Sequence, residues 1–269
     1  FRWPVGIDDI LEVLGWFGED CSTFQSCGLP MEYQGVAYAT VSINGTCWFA
    51  ENLKCIKYSN LDSIQSNLNP EEWSSTALGA TAIYGDSLYG CLDSLGSIEN
   101  PACFDTENLS KFGRLYNAYA VNDWRGLCPS GWHVSTDDDW KDVEIFLGMT
   151  EFEADHSWWR GTNEGFALKS DSSDVVVWDG NNQSGFSAVP AGKLNPDWFS
   201  NGFFGGGLGC TFWTSTSSMV AYAPAWGTYV TWASHLQAVR HLHSGTGMIS
   251  RVVWDRSHGA SVRCVKDPL

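Results

Sequence analysis

The sequence predicts a mixed α+β fold in which most strands are short and antiparallel. Three features carry this prediction: bursts of β-branched and aromatic residues separated by Gly, Asn, Asp and Ser, a hairpin signature at Asn44-Gly45, and one strongly capped helix start near Ser135. No internal repeat of fixed period is visible. The chain has 269 residues, with 15 Trp, 9 Tyr and 14 Phe, a ring load large enough to fill a sizeable core with a surplus for the surface.

Residues 1–30 read as an appendage. Ile7, Ile10, Leu11, Leu14 and Phe17 share one helical stripe, carboxylates occupy the first turn, and Gly18 stands as a stop. Cys21 and Cys27 follow in a Ser/Thr/Gln-rich stretch, where their short spacing suggests a local disulfide closing a linker. Phe1-Arg2-Trp3-Pro4 lacks the plan of a signal peptide, so the chain reads as already processed. Residues 31–269 are expected to form one body.

Within that body Val36–Ile43, the turn Asn44-Gly45 and Cys47–Ala50 predict a hairpin. Asn69-Pro70-Glu71-Glu72-Trp73 combines a cap, a proline at the first helical position and first-turn acids, which marks a short helix. Residues 79–110 are rich in turn formers and hold Cys91 and Cys103, so a stapled loop is expected there. Ser135-Thr136 followed by Asp137-Asp138-Asp139 starts a helix that puts Trp140, Val143 and Leu147 on one face and ends near Gly148. The acid triplet is read as first-turn carboxylates favoured by the helix dipole. Strands are expected at 175–178, 186–189, 211–216, 229–232 and 261–265.

Net charge is −16, which disfavours nucleic acid and anionic membrane surfaces as partners, and no apolar stretch is long enough for a membrane-spanning helix. Nine cysteines without paired finger spacing fit disulfides in an oxidising compartment better than zinc, so secretion or cell-surface display is expected. The charge is uneven. Between Asp197 and Asp255 there is no carboxylate, and the only charged residues are Arg240 and Arg251. That interval and its flank hold His235, His241, His243 and His258 among Trp213, Trp226, Tyr229, Trp232 and Trp254, with many Ser, Thr and Gly. Aromatic rings with polar tips and adaptable hydrogen-bonding groups suit a binding face; the interior of a sheet is the competing explanation.

Seven segments, in order, resemble the Fibrobacter succinogenes major paralogous domain family. They are 41–53 (VSINGTCWFAENL), 112–121 (FGRLYNAYAV), 126–134 (GLCPSGWHV), 165–170 (GFALKS), 185–192 (GFSAVPAG), 212–216 (FWTST) and 261–267 (SVRCVKD). The resemblance implies a C-type-lectin-like domain related to formylglycine-generating enzymes, with a twisted antiparallel sheet, two flanking helices and long irregular loops. It also implies a Cys128–Cys264 disulfide. Of the remaining cysteines Cys47, Cys55 and Cys210, Cys47–Cys55 is the favoured pair, with Cys21–Cys27 and Cys91–Cys103 local.

In that fold the segments before the last strand carry recognition, here residues 213–258, a position that in some relatives is diversified for receptor binding. The expected ligand-binding set is therefore Trp213, Trp226, Tyr229, Trp232, His235, His241, His243, Trp254, Arg256 and His258. The paired C-terminal copper cysteines of the oxidase relatives are not matched, nor are the lectin calcium motifs. Catalysis is not expected and no cofactor is required, although the many carboxylates keep structural calcium open. His241 and His243, two apart on a strand, leave a metal site with His235 or His258 undecided. The expected function is recognition of a glycan or a surface protein. The alternative is a structural subunit that uses the same face to form a homo-oligomer or filament.

Overall fold

A computed structural model of the chain describes residues 27–86, 107–196, 202–217 and 236–268, with the backbone alone of strands at 90–92, 221–223 and 227–229. The expected N-terminal helix lies outside the described residues.

The described chain opens with two tight hairpins. β1 (Met31–Tyr33) and β2 (Val36–Tyr38) turn at Gln34-Gly35, and β3 (Thr40–Ile43) and β4 (Thr46–Phe49) turn at Asn44-Gly45. Both turn pairs have positive φ, 49° and 79° in the first and 50° and 81° in the second, which is the twist that two-residue hairpins demand. The run expected as a single strand from Val36 to Ile43 breaks at Ala39. Tyr38 turns into one core cluster and Ile43 into another.

α1 (Pro70–Ser75) begins at Asn69, whose side chain accepts from the amides of Glu71 and Glu72 while the Glu72 carboxylate accepts from the Asn69 amide. Its buried face is Trp73, which donates from its ring nitrogen to the Ser257 carbonyl at 2.6 Å. Next come β5 (Thr81–Ala82), β6 (Gly90–Leu92), α2 (Asn108–Phe112), β7 (Leu115–Tyr116) and α3 (Ala118–Val121). β8 (Trp132–Val134), α4 (Asp137–Phe146), α5 (Glu151–Asp155), β9 (Trp158–Arg160) and α6 (Glu164–Leu168) complete the first part. The second part is β10 (Ala191–Asn195), β11 (Gly202–Gly206), β12 (Gly209–Ser217), β13 (Ala221–Ala223), β14 (Gly227–Tyr229), β15 (Leu236–His243), β16 (Ile249–Asp255) and β17 (Cys264–Lys266).

The class is mixed α+β and mostly sheet. A seven-stranded sheet runs β6-β11-β10-β12-β15-β16-β9, and a four-stranded sheet runs β3-β4-β17-β8. Pairing is antiparallel except at β10–β12 and β11–β6, which are parallel. In place of two flanking helices, the described residues hold one ten-residue helix, α4, and several of four to six residues. The runs at 175–178 and 186–189 are irregular. Asn182 and Ser187 adopt positive φ there, and the Asn182 amide donates to Asp174 and Ser187, pinning a loop where a strand was expected.

Register assigns the faces of the large sheet. Trp213, Val239 and Val252 form one cross-strand row, and Thr211, His241, Ser250 and Trp159 form another on the same side. The row of Phe212, Arg240 and Arg251 faces the other way. On that second side Trp48, Trp140, Phe186 and Phe212 pack edge to face or tilted, with ring centroids 5.3 to 5.7 Å apart. α4 covers the same side and is held there by charge. Asp137 accepts from Arg240 at 2.7 Å and from Arg251 at 2.7 Å, while Glu144 accepts from Arg240 at 2.7 Å and pairs with Arg160. All five are buried, so removing either carboxylate strands guanidinium charge in the interior, at a cost of about 3–5 kcal/mol.

Two disulfides join described residues. Cys128–Cys264 closes a separation of 136 residues, as the resemblance implied. Cys27 bonds Cys47, which overturns both Cys21–Cys27 and Cys47–Cys55. The physical reason is the second hairpin: Thr40 hydrogen-bonds Gly28 and Leu29, laying the incoming chain along β3 and bringing Cys27 to β4. Cys55 and Cys210 are free and buried. Burial pushes the Cys55 thiol up to about 11 and the Cys210 thiol further, so neither is a ready nucleophile. The proposed Cys91–Cys103 bond lies outside the described side chains. No helix among the described residues is long and apolar enough to cross a membrane.

Candidate functional site

The ten residues expected to bind ligand separate into four groups. Trp226, Trp232 and His235 lie outside the described residues, and Tyr229 is described only as backbone at the end of β14. Trp213 is fully buried and donates from its ring nitrogen to the Tyr116 carbonyl at 2.6 Å, so it supports the core and meets no ligand. It belongs to a central strand covered on both faces, where a large ring satisfies its single donor internally. The other five lie on β15, β16 and the turn that follows.

His241 and His243 project from the same face of β15 and line a groove of about 170 Å³. The remaining walls come from β10, β11 and the start of β12: Lys193, Phe204, and the glycines Gly192, Gly205 and Gly209. Gly192, at φ 66°, is required by space as well as conformation, because a Cβ there would run into the Tyr84 ring and the Phe204 carbonyl. Gly209 pairs with His243 across the strands, and its missing side chain leaves the imidazole uncovered on that side.

The electrostatics of the pair follow from its surroundings. Burial lowers the pKa of His241 to about 3, with the charges of Lys193 and His243 adding to the effect, so this ring is neutral at any physiological pH. Its Nδ1 lies 2.9 Å from the Thr211 hydroxyl, and its ring packs on Trp159 at 5.5 Å. His243 Nδ1 lies 2.9 Å from the Ser244 carbonyl, which only an N–H can satisfy, and in the neutral ring this leaves Nε2 as an acceptor. Among the described residues no carboxylate lines the groove.

Trp254 stands at right angles to Trp213 at 6.4 Å and tilts against His258 at 5.2 Å, half-buried beside the core. The Lys193 ammonium lies over the Trp254 ring, 4.5 Å from its centroid. One lysine therefore lines the groove of His241 and His243 and also covers the ring of Trp254, which packs on His258. The link is backbone as well, since Leu194 and Gly259 exchange hydrogen bonds in both directions. Arg256 does not join this band on the same terms: its carbonyl accepts from Ala118, and its Nε is buried with no partner among the described residues.

Lys193, Phe204, Thr211 and Trp159 were missed in the sequence. No local signal marks Phe204 as part of a site, and nothing local shows that β10 pairs with β12. Arg240 and Arg251, the sole charges of the carboxylate-free interval, leave this face altogether and pair beneath the sheet with Asp137. Asp137 also departs from its reading as a simple first-turn acid, whereas Asp139 completes the capping box at Thr136 as expected. No group of three or more metal-binding side chains occurs among the described residues, and His258 stacks on Trp254, apart from the His241–His243 pair.

The family model of the Fibrobacter succinogenes major domain matches residues 41–266. No curated protein and no solved structure matches the chain.

Proposed function

The chain belongs to the Fibrobacter succinogenes major domain family, and from that premise we propose that it is a secreted or surface-displayed binding module with a C-type-lectin-like fold and no catalytic role. Its ligand is a glycan or a surface protein, met along the groove and the ring band beside it. The observation that carries this reading is Lys193, which lines the groove with His241 and His243 and also covers Trp254. The neutral His241 imidazole, one ammonium and an aromatic wall suit a hydroxyl-rich surface, with hydrogen bonds giving selectivity and rings giving contact area. Structural calcium is no part of the proposed contact.

A panel of immobilised neutral and acidic glycans and surface proteins tests the proposal. Phe204→Ala and His243→Ala should each weaken capture of whichever probe the wild type binds by about tenfold. Equal capture by wild type and both variants removes the groove from the account.

A second reading, assembly of copies, draws on a different feature. β9 ends the large sheet, and its Trp158 is 66% exposed at φ 79°, a conformation rare for a bulky side chain. Light scattering across a concentration series, with wild type beside Trp158→Ala, tests it. A mass that stays monomeric at every concentration excludes assembly.

A further inference from the structure

A second recess, sharing no residue with the groove, opens among the chain after β4, α2 and the loops at 170–189, and has a volume of about 280 Å³. Its floor includes Arg263, which is fully buried. The guanidinium donates to the Asn52 side chain at 2.8 Å and to the carbonyls of Phe49, Phe186 and Ser187 at 2.9, 2.7 and 3.1 Å. Its flat face lies over the Phe186 ring at 4.3 Å. Each of these partners is neutral, so the charge has no ion-pair partner, and burial lowers its pKa to about 9.

Ser170 lines the same recess. It is fully buried, and its backbone is paired with Ala188 and Gly180, yet its hydroxyl has no hydrogen-bond partner. An orphan hydroxyl of this kind calls for an explanation. Lys54 lines the recess too, with its ammonium 2.8 Å from Glu51, which engages one of its three donors. The carboxylates that line the recess are already engaged: Glu51 with Lys54, and Asp174 with Asn182 and the Asp171 amide. Lys54 pairs with Glu51 and Lys111 with Glu107, so Arg263 is the cation of the described lining that has no carboxylate partner, in a chain of net charge −16. Ala39, Ala50, Val176 and Val189 supply apolar wall.

We propose that this recess is a ligand site for a small organic acid, its carboxylate taking hydrogen bonds from Lys54 and Ser170 above the buried Arg263 charge and its short apolar body resting on Val176 and Val189. Charge-assisted hydrogen bonds of this kind favour a carboxylate over its neutral isostere. The ligand accounts for the unmatched donor and the unbalanced cation together.

The test is a titration of the full chain with isovalerate, its neutral isostere isovaleramide, and glucuronate, followed by amide NMR. Isovalerate should shift Ser170 and Lys54 with a Kd on the order of 1 mM. Isovaleramide should bind at least about tenfold more weakly. Ser170→Ala removes only an unpartnered hydroxyl and should fold normally, and it and Lys54→Gln should each weaken isovalerate about fivefold or more. The proposal is overturned if isovaleramide binds as well as isovalerate, if glucuronate binds better, if both variants bind like wild type, or if Ser170 and Lys54 stay unshifted at about 20 mM isovalerate. The outcome is independent of the groove, whose residues the titration does not engage.

Discussion

Single residues show where local reading stops. Asp137 and Asp139 are two positions apart in one turn and serve different ends: Asp139 closes the cap at Thr136, whereas Asp137 is buried between arginines 103 and 114 residues away. A first-turn acid is legible from spacing, but a partner on a distant strand is not. Burial by itself raises the pKa of Asp137, but hydrogen bonds from Arg251 and the charges of Arg240 and Arg251 outweigh it and hold the carboxyl well below the usual range. His133 offers a pH test. Its Nδ1 lies 2.6 Å from Asp267 and its Nε2 3.0 Å from Asp139, and only the doubly protonated ring can donate to both. The Asp139 hydrogen bond, opposed by burial and aided by Asp267, raises the ring above its ordinary value. A raised histidine contributes fully below its unfolded pKa of about 6.5 and loses that contribution as pH rises through the folded value. The melting-temperature advantage of wild type over His133→Gln should therefore shrink between about pH 5.5 and about pH 9. An advantage that grows with pH contradicts the clamp.

Elements were legible where a local rule is strong. The Asn44-Gly45 hairpin, the proline-started α1 and the capped α4 all stand where their sequence signals lie, because cap and turn chemistry acts within four residues. Strand expectations fared unevenly. The run at 211–216 falls within β12, whereas 175–178 and 186–189 became loops pinned by Asp174, Asn182 and Ser187, since apolar content alone does not supply a partner strand. The candidate groove was half legible for the same reason. The i, i+2 spacing of His241 and His243 places both on one face of a strand, but the opposing Lys193 and Phe204 depend on a parallel pairing that no local signal marks. The α4 cap carries a prediction at this scale. Thr136→Ala removes the side-chain acceptor of the Asp139 amide and should lower unfolding stability by about 1 kcal/mol in denaturant titration. A change below about 0.3 kcal/mol would mean that α4 is held by the arginine pairs alone.

For the whole molecule, the carboxylate-free interval has a structural basis. The interval supplies the central strands β12 and β15, whose interior positions exclude unpaired carboxylates, and its two arginines take their counter-charges from α4 beneath the sheet. The interior explanation therefore holds for Trp213 and Arg240, while the face that carries Trp213 keeps, at its His241–His243 end, a groove whose one described charge is the Lys193 ammonium. Cys128–Cys264 ties the start of the α4 segment to the last strand across 136 residues, worth about 5 kcal/mol in the chain-entropy account, so the frame behind the groove is strongly cross-linked. The most direct measurement is a hydrogen-exchange footprint of the full chain with and without whichever glycan or surface protein it captures. Added protection at 191–194, 203–209, 241–244 and 254–258 is the result expected if the groove and its ring band are the contact. Protection confined to α1, α5 or β9, with those four segments unchanged, would contradict it.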